Sequence, residues 1–590
     1  MNLITLLLLC LRISFVHAGE AASFLPAGFT SWFWPSSIVA GDWLYLHGGE
    51  IHSNNGSVPV LGLNTQTFAI DLTKTWSTSS VDAKTSNQSA DFRPSRRPEM
   101  FYDSIHEMVY CYGGEYYSPT FGSDGDSILY DANVKPEVWG FTPPANGYVM
   151  WSLQFAKSIS DSFVLDSSVA QAFTASSSTN HYSLGGMMTF DVNRVGNGVT
   201  SQMVMDELIT YDYATQKFTN ATTNVTQTSP YRFGGEAHYV PQYGERGVLL
   251  FFGGKNPSDR GVNSIGYAYL DSIQVYDIHT NKFYIQHALD APQGRGTFCT
   301  VGASNAENSS YEIFMYGGDA SSNDASVVAS LSKVYILTLP AFHWIEVSTT
   351  ETSYRSSHKC QKIGQKSIPE HNQRQMLSVG GVAAPGYDWT TYNDTWASSM
   401  KIFDLTALTW SDTYNPDATA YVRPDRVDQF YAGADNSGFP SSWTDGALKS
   451  IFQNSTAATA PKTKSTPTPG PGSKASVGAI AGGVVGGVVV AALAGFLLFW
   501  FCWRKRKTDN VAGADGPGDC HGTGGYENVK QGEEGVELSV GGGMPRRELA
   551  GDSAHRGELD ANVHPGELEA NAHPPNHHMQ EPQELPTGER

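Results

Sequence analysis

The sequence predicts an all-β protein, a β-propeller of six radially stacked units followed by one transmembrane helix and a disordered tail. Three observations predict it. Six Gly-Gly doublets recur at spacings of 65, 72, 68, 64 and 63 residues. A strand-like apolar run precedes nearly every doublet, and a second such run with a turn inside it follows most of them. Residues Val477 to Trp503 then hold no charge for 27 positions, and Arg504-Lys505-Arg506-Lys507 follows at once.

The doublets are Gly48-Gly49, Gly113-Gly114, Gly185-Gly186, Gly253-Gly254, Gly317-Gly318 and Gly380-Gly381. The runs before them include Trp43 to His47, Met108 to Tyr112, Val248 to Phe252 and Ile313 to Tyr316, rich in β-branched and aromatic residues that suit a buried strand. His181 to Leu184, before the third doublet, is less apolar. Behind the doublets come Phe68 to Trp76, Leu208 to Phe218, Ile273 to Phe283 and Lys401 to Trp410. Each reads as an apolar residue and Asp, a small polar turn, then Trp or Phe, which is a hairpin with a ring packed between layers. About four strands per unit cannot bury both faces alone, and radial stacking covers the faces while protecting the edges. A seventh unit stays open, because Ala22 to Ile38 and Tyr421 to Trp443 could supply extra strands.

These residues resemble kelch repeats, in which a Gly doublet ends one strand, a Tyr-Asp or related pair sits in the next and a Trp follows. Arg96 or Arg97, Arg232, Arg295 and Arg355 stand upstream of their doublets, where kelch units often carry an Arg. The resemblance covers roughly residues 25 to 450 and is weaker in the second and fifth units, which lack the Asp. The units exceed the usual kelch length of roughly 50 residues. The surplus is expected in loops such as Glu115 to Asn133 and Asn256 to Tyr269, where binding is also expected.

The flanking segments predict a cell-surface topology. Leu3 to Leu11 with Val16-His17-Ala18 reads as a signal peptide over residues 1–18. The propeller is assigned to 19–450, a Ser/Thr/Pro-rich stalk to 451–476, the transmembrane helix to 477–503 and a cytoplasmic tail to 504–590. The basic block after the helix stays inside by the positive-inside rule, giving a single-pass type I protein of the plasma membrane. All seven Asn-x-Ser/Thr sites precede the helix: Asn55, Asn87, Asn220, Asn224, Asn308, Asn393 and Asn454. Gly478, Gly482 and Gly486 form a small-residue stripe through which two helices could pair as a homodimer. The tail carries a degenerate Glu-Leu repeat and a Tyr526-Glu527-Asn528-Val529 element of the endocytic type. The whole architecture resembles single-pass kelch proteins of filamentous fungi, a family mostly uncharacterised.

Cysteine and charge bound the chemistry. Of the Cys residues expected outside the membrane, Cys299 and Cys360 follow Arg295 and Arg355 by four and five residues, so they occupy similar places in neighbouring units and are the disulfide candidates. Cys111, inside an apolar strand, reads as a buried free thiol. Residues 19 to 476 carry a net charge of −14, which argues against nucleic acid as a partner.

The sequence assigns no catalytic, cofactor-binding or metal-ligating residue. It lacks a Gly-x-Ser-x-Gly elbow, His-Glu-x-x-His, a phosphate loop and a Cys-x-x-Cys pair. The function expected is therefore non-enzymatic: a surface interaction protein whose propeller binds a cell-wall glycan or a partner protein. The alternative is an extracellular propeller enzyme of one of two kinds. A copper oxidase resembling galactose oxidase would draw on Cys111, Cys299 or Cys360 with Tyr112, Tyr239, His238 and His358. A carboxylate-based hydrolase would draw on Glu50, Glu115 and Asp319 after the doublets. Aromatic clusters such as Trp32-Phe33-Trp34 and Tyr267-Ala268-Tyr269 either stack on sugars or plug gaps between units.

Overall fold

A computed structural model describes residues 22–454 except 57, 117–136, 156–168, 192–199, 223–231, 259–264, 305–308, 323, 366–368, 383–391 and 434–437. The signal peptide, nearly all of the stalk, the expected transmembrane span with its Gly stripe and the tail lie outside the described residues. Among the described residues no helix is long and apolar enough to cross a membrane.

The described chain is mostly strands in antiparallel sheets. Six sheets have four strands each, in sequence order, and span residues 36–87, 99–155, 173–222, 236–287, 296–347 and 359–411. Each doublet closes the second strand of its sheet. The first strand of each sheet contacts the first strand of the next, and that of the sixth contacts that of the first. Segment 421–443, considered for an extra unit, contributes the helix Asp425–Ala432 instead, because Val427 and Tyr431 bury one side of it against the fifth and sixth sheets.

The doublets fasten neighbouring sheets. The N–H of the second glycine donates to a backbone carbonyl just ahead of the following sheet: Gly49 to Ser95, Gly114 to Val169, Gly186 to Arg232, Gly254 to Arg295, Gly318 to Arg355, and Gly381 back to Trp32. All twelve doublet residues have φ between +64° and +107°, a region L side chains rarely adopt. Space forbids a side chain as well: a Cβ on Gly49 would sit 2.2 Å from the Phe33 carbonyl oxygen.

The upstream arginines complete the link. Arg295 and Arg355, both fully buried, donate to the carbonyls of Gly317 and Gly380 at 3.1 and 3.0 Å, and Arg232 donates to Gly253. Each arginine thus accepts from the preceding sheet through its backbone and donates to its own sheet through its side chain. Arg355 is neutralised by the buried carboxylate of Asp394 and stacks over Trp396 at 3.7 Å.

Beyond the sixth sheet the chain forms a strap. Thr413–Tyr414 pairs with Trp76–Ser77, joining the end of the sixth sheet to the first. Tyr421 donates to buried Glu312 at 3.0 Å, and Thr338 and Ser310 also donate to that carboxylate. Burial pushes the Glu312 carboxyl up to about 7 against these donors. The strap ends in the helix Gly446–Gln453, capped by Asp445. This helix runs past residue 450, where the sequence places the start of the stalk, because Leu448 and Phe452 are fully buried in the core of the fourth and fifth sheets. The strap contacts the 1–2 and 3–4 turns of the sheets, the ends away from the doublets: Phe452 lies against Tyr243 and Phe342, and Tyr414 donates to the Leu72 carbonyl.

Candidate functional site

At or just ahead of the start of every first strand stands one residue with left-handed backbone: Trp34, Arg97, Gln171, Gly234, Thr297 and Ser357, with φ from +49° to +64°. Five of the six carry side chains, at a cost of roughly 1 kcal/mol each. Four of these residues donate their N–H to the equivalent carbonyl of the preceding sheet: Arg97 to Trp34, Gly234 to Gln171, Thr297 to Gly234 and Ser357 to Thr297, at 3.0, 2.7, 2.6 and 2.9 Å. Together with the residues that follow them they line one depression on the doublet side, to which all six sheets contribute.

Two residues past each left-handed position comes a common register position, paired in every sheet with the residue just before its doublet: Ser36, Glu99, Phe173, Glu236, Cys299 and Lys359. A simple rule governs contacts at this level: the register residue of one sheet meets the next residue of the following sheet. Thr174 acts on the Glu99 carboxyl in this way, and Thr300 on that of Glu236. Cys299 meets Cys360 in the same way, and the two form a disulfide with Cα atoms 5.4 Å apart.

Glu99, Glu236 and Lys359 bring charge into the depression from the second, fourth and sixth sheets. Burial pushes the Glu99 carboxyl up, with Lys359 and Thr174 acting in the other direction. Burial and the neighbouring Glu99 push Glu236 up to about 7, although Lys359 opposes them. For Lys359 burial acts downward, but Glu99 and Glu236 win and hold the ammonium above its usual range. His358, beside them, is held neutral at about 3 by burial and by the Arg355 cation.

The expected hydrolase carboxylates are not free in this depression. Glu50 is bound by Arg96, Glu115 by Arg97 at 2.6 Å, and Asp319 by Lys255 at 2.7 Å. The copper candidates are dispersed and engaged. Cys111 is buried in the second sheet, and burial pushes its thiol up. The Tyr112 hydroxyl meets His181 at 3.1 Å, His238 meets the Tyr311 hydroxyl at 2.9 Å, and Tyr239 donates to the Arg246 carbonyl. Ligand atoms of Cys299, His358 and Cys360 do lie within 4.8 Å of one another, but both sulfurs are committed to the disulfide.

The first aromatic cluster is buried. Trp32 and Phe33 are inaccessible, and the guanidinium groups of Arg96 and Arg97 lie over the Trp34 ring, at 4.1 and 5.1 Å from its centroid. Tyr269 alone of the clusters' described residues is strongly exposed, at 77%. Asn55, Asn87, Asn220, Asn393 and Asn454 are all exposed, while Asn224 and Asn308 lie outside the described residues. Sequence reasoning missed Glu99, Glu236 and Lys359. The signal was present, since Glu236 and Lys359 each stand four residues after an arginine of the repeat, as Cys299 does.

No family model matches the chain. It is similar to a kelch repeat-containing protein of Arthroderma benhamiae, 27% identical over 187 residues, which is 31% of this chain and 25% of that protein. The match therefore spans about a quarter of the relative's length. It supports a kelch-repeat protein, in agreement with the doublets and the sheets that they close.

Proposed function

We propose that the six sheets close into a kelch-type propeller and that this propeller is a non-enzymatic interaction module of the cell surface. Closure draws its support from the Gly381 to Trp32 bond, which ties the sixth sheet to the first with the same link used between the others. The observation that carries the binding reading is the depression that all six sheets line. Its ligand is a cell-wall glycan or a partner protein. The signal peptide, the 477–503 span and the basic block support a type I plasma-membrane protein with the propeller outside. The exposed sequons support N-glycosylation, and the Gly478, Gly482, Gly486 stripe supports pairing in the membrane.

The test is binding by the purified full-length protein to a panel of wall polysaccharides and to surface-protein extracts, with metal content measured on the same sample. Saturable binding to either class supports the module. Binding to neither overturns it, and stoichiometric copper would turn attention to oxidation.

One observation favours a second reading, carboxylate-based hydrolysis. Glu99 and Glu236 share a depression, and Glu236 is poised near neutrality. Release of reducing ends from the same polysaccharides, abolished by Glu236→Gln, would establish it.

A further inference from the structure

The depression brings together three charged groups that do not neutralise one another by contact. Among the described residues no ion pair joins Lys359 to Glu99 or Glu236, although all three feel one another electrostatically. Lys359 offers three donors, and each carboxylate offers two acceptor oxygens. All three are half-buried and line the depression, so their donors and acceptors face whatever occupies it. A simple cation entering here is repelled by Lys359, and a simple anion by the two carboxylates. A neutral molecule with adjacent hydroxyls meets neither penalty, because each hydroxyl both donates and accepts. It donates to Glu99 and Glu236 and accepts from Lys359.

We infer that Glu99, Glu236 and Lys359 form a recognition site for one neutral sugar ring, presented at the end of a glycan chain. This inference rests on the interaction-module reading and names the ligand class of its site. The three groups come from alternate sheets, so they surround the ring instead of meeting it from one side. A site built to hydrogen-bond hydroxyls discriminates strongly against analogues that lack them.

The experiment titrates purified full-length protein with methyl glycosides of neutral hexoses, and separately with methylammonium, acetate and glycine. Saturable binding of at least one hexoside is expected. Lys359→Met, Glu99→Gln and Glu236→Gln should each weaken it about tenfold or more, the loss of a buried hydrogen bond to a charged group. Met150→Ala, an exposed residue of the 3–4 turn of the second sheet at the end away from the doublets, should leave affinity unchanged. Thermal melting of each variant separates lost recognition from lost folding, and any one variant that folds suffices. Hexoside binding indifferent to every folded variant overturns the site while leaving the module intact. Binding of glycine with no hexoside overturns the ligand class in favour of a zwitterion. Failure to bind any saccharide, with a surface protein captured instead, likewise sinks this inference and spares the module. Binding of nothing at all sinks both.

Discussion

The indole N–H of Trp32 donates to the carbonyl of Gly48 across 3.0 Å, and the Trp32 carbonyl accepts from Gly381. Trp32 thereby does for the first sheet what Arg295 and Arg355 do for the fifth and sixth. A neutral aromatic replaces a guanidinium because both present an N–H at the same reach. The substitution also removes the need for a buried counter-ion of the kind Asp394 provides for Arg355.

This equivalence predicts unequal sensitivities. Trp32→Phe keeps the ring but leaves the Gly48 carbonyl with only the Asn64 amide, at 3.3 Å. It should cost about 1–2 kcal/mol. Arg355→Met strands the buried Asp394 carboxylate and should cost about 3–5 kcal/mol. Denaturant unfolding of the two variants checks the order, and equal losses would contradict it.

Glycine replacements should divide sharply by location. Gly49→Ala meets the Phe33 carbonyl oxygen at 2.2 Å and breaks a link between sheets. It should abolish folding or cost more than about 3 kcal/mol. Gly41→Ala has a similar φ of +64° but nothing within 4 Å, so only backbone strain of about 1 kcal/mol applies. Comparable melting points for the two would refute the role given to the doublets.

The number and spacing of the repeats were legible because each doublet must be glycine twice over, for conformation and for space. The Cys299–Cys360 neighbourhood was legible because four and five residues after consecutive arginines are the two positions that meet across adjacent sheets. Trp32 was not legible as a stand-in for arginine, since residue type hides what N–H geometry reveals. Glu50, Glu115 and Asp319 stood out as free acids only because their basic partners lie on other segments of the chain. Glu99, Glu236 and Lys359 escaped notice because their meeting depends on three separate sheets.

Stability should rise with pH from 4.5 to 6.5. Burial holds His47, His181, His238 and His358 at about 3 in the folded protein, against 6.5 when unfolded. They stay neutral when folded, so their contribution is complete above pH 6.5 and is lost as pH falls toward 3. Glu236 and Glu312 act oppositely: raised from 4.5 to about 7, they contribute fully below 4.5 and lose that contribution as pH climbs to 7. Glu99 is pushed the same way, and four imidazoles outweigh the three carboxyls across the shared window. Melting temperature should peak near pH 6.5, and His238→Asn should flatten the acid limb.

The strap should be separable from the sheets. Phe452 is fully buried, with ring centroids 4.6 Å from Tyr243 and 4.9 Å from Phe342. Phe452→Ala should cost about 3–5 kcal/mol locally. Amide hydrogen exchange should quicken over Gly446–Gln453 while Trp43–His47 keeps its protection. Uniform quickening would mean that strap and sheets unfold as one.

The course of the strap has a mechanical consequence. Tension applied to the chain at Asn454 reaches the helix Gly446–Gln453 first, then Asp425–Ala432, and only afterwards the Thr413–Tyr414 pairing that stitches the sixth sheet to the first. A pull must peel two successive attachments before it loads the seam. The same seam is also held at Ala22, where Ser398 accepts from the Ala22 N–H and donates to the Thr78 carbonyl. The strap is a strain relief, like the clamp on a cable, that keeps force out of the sheets.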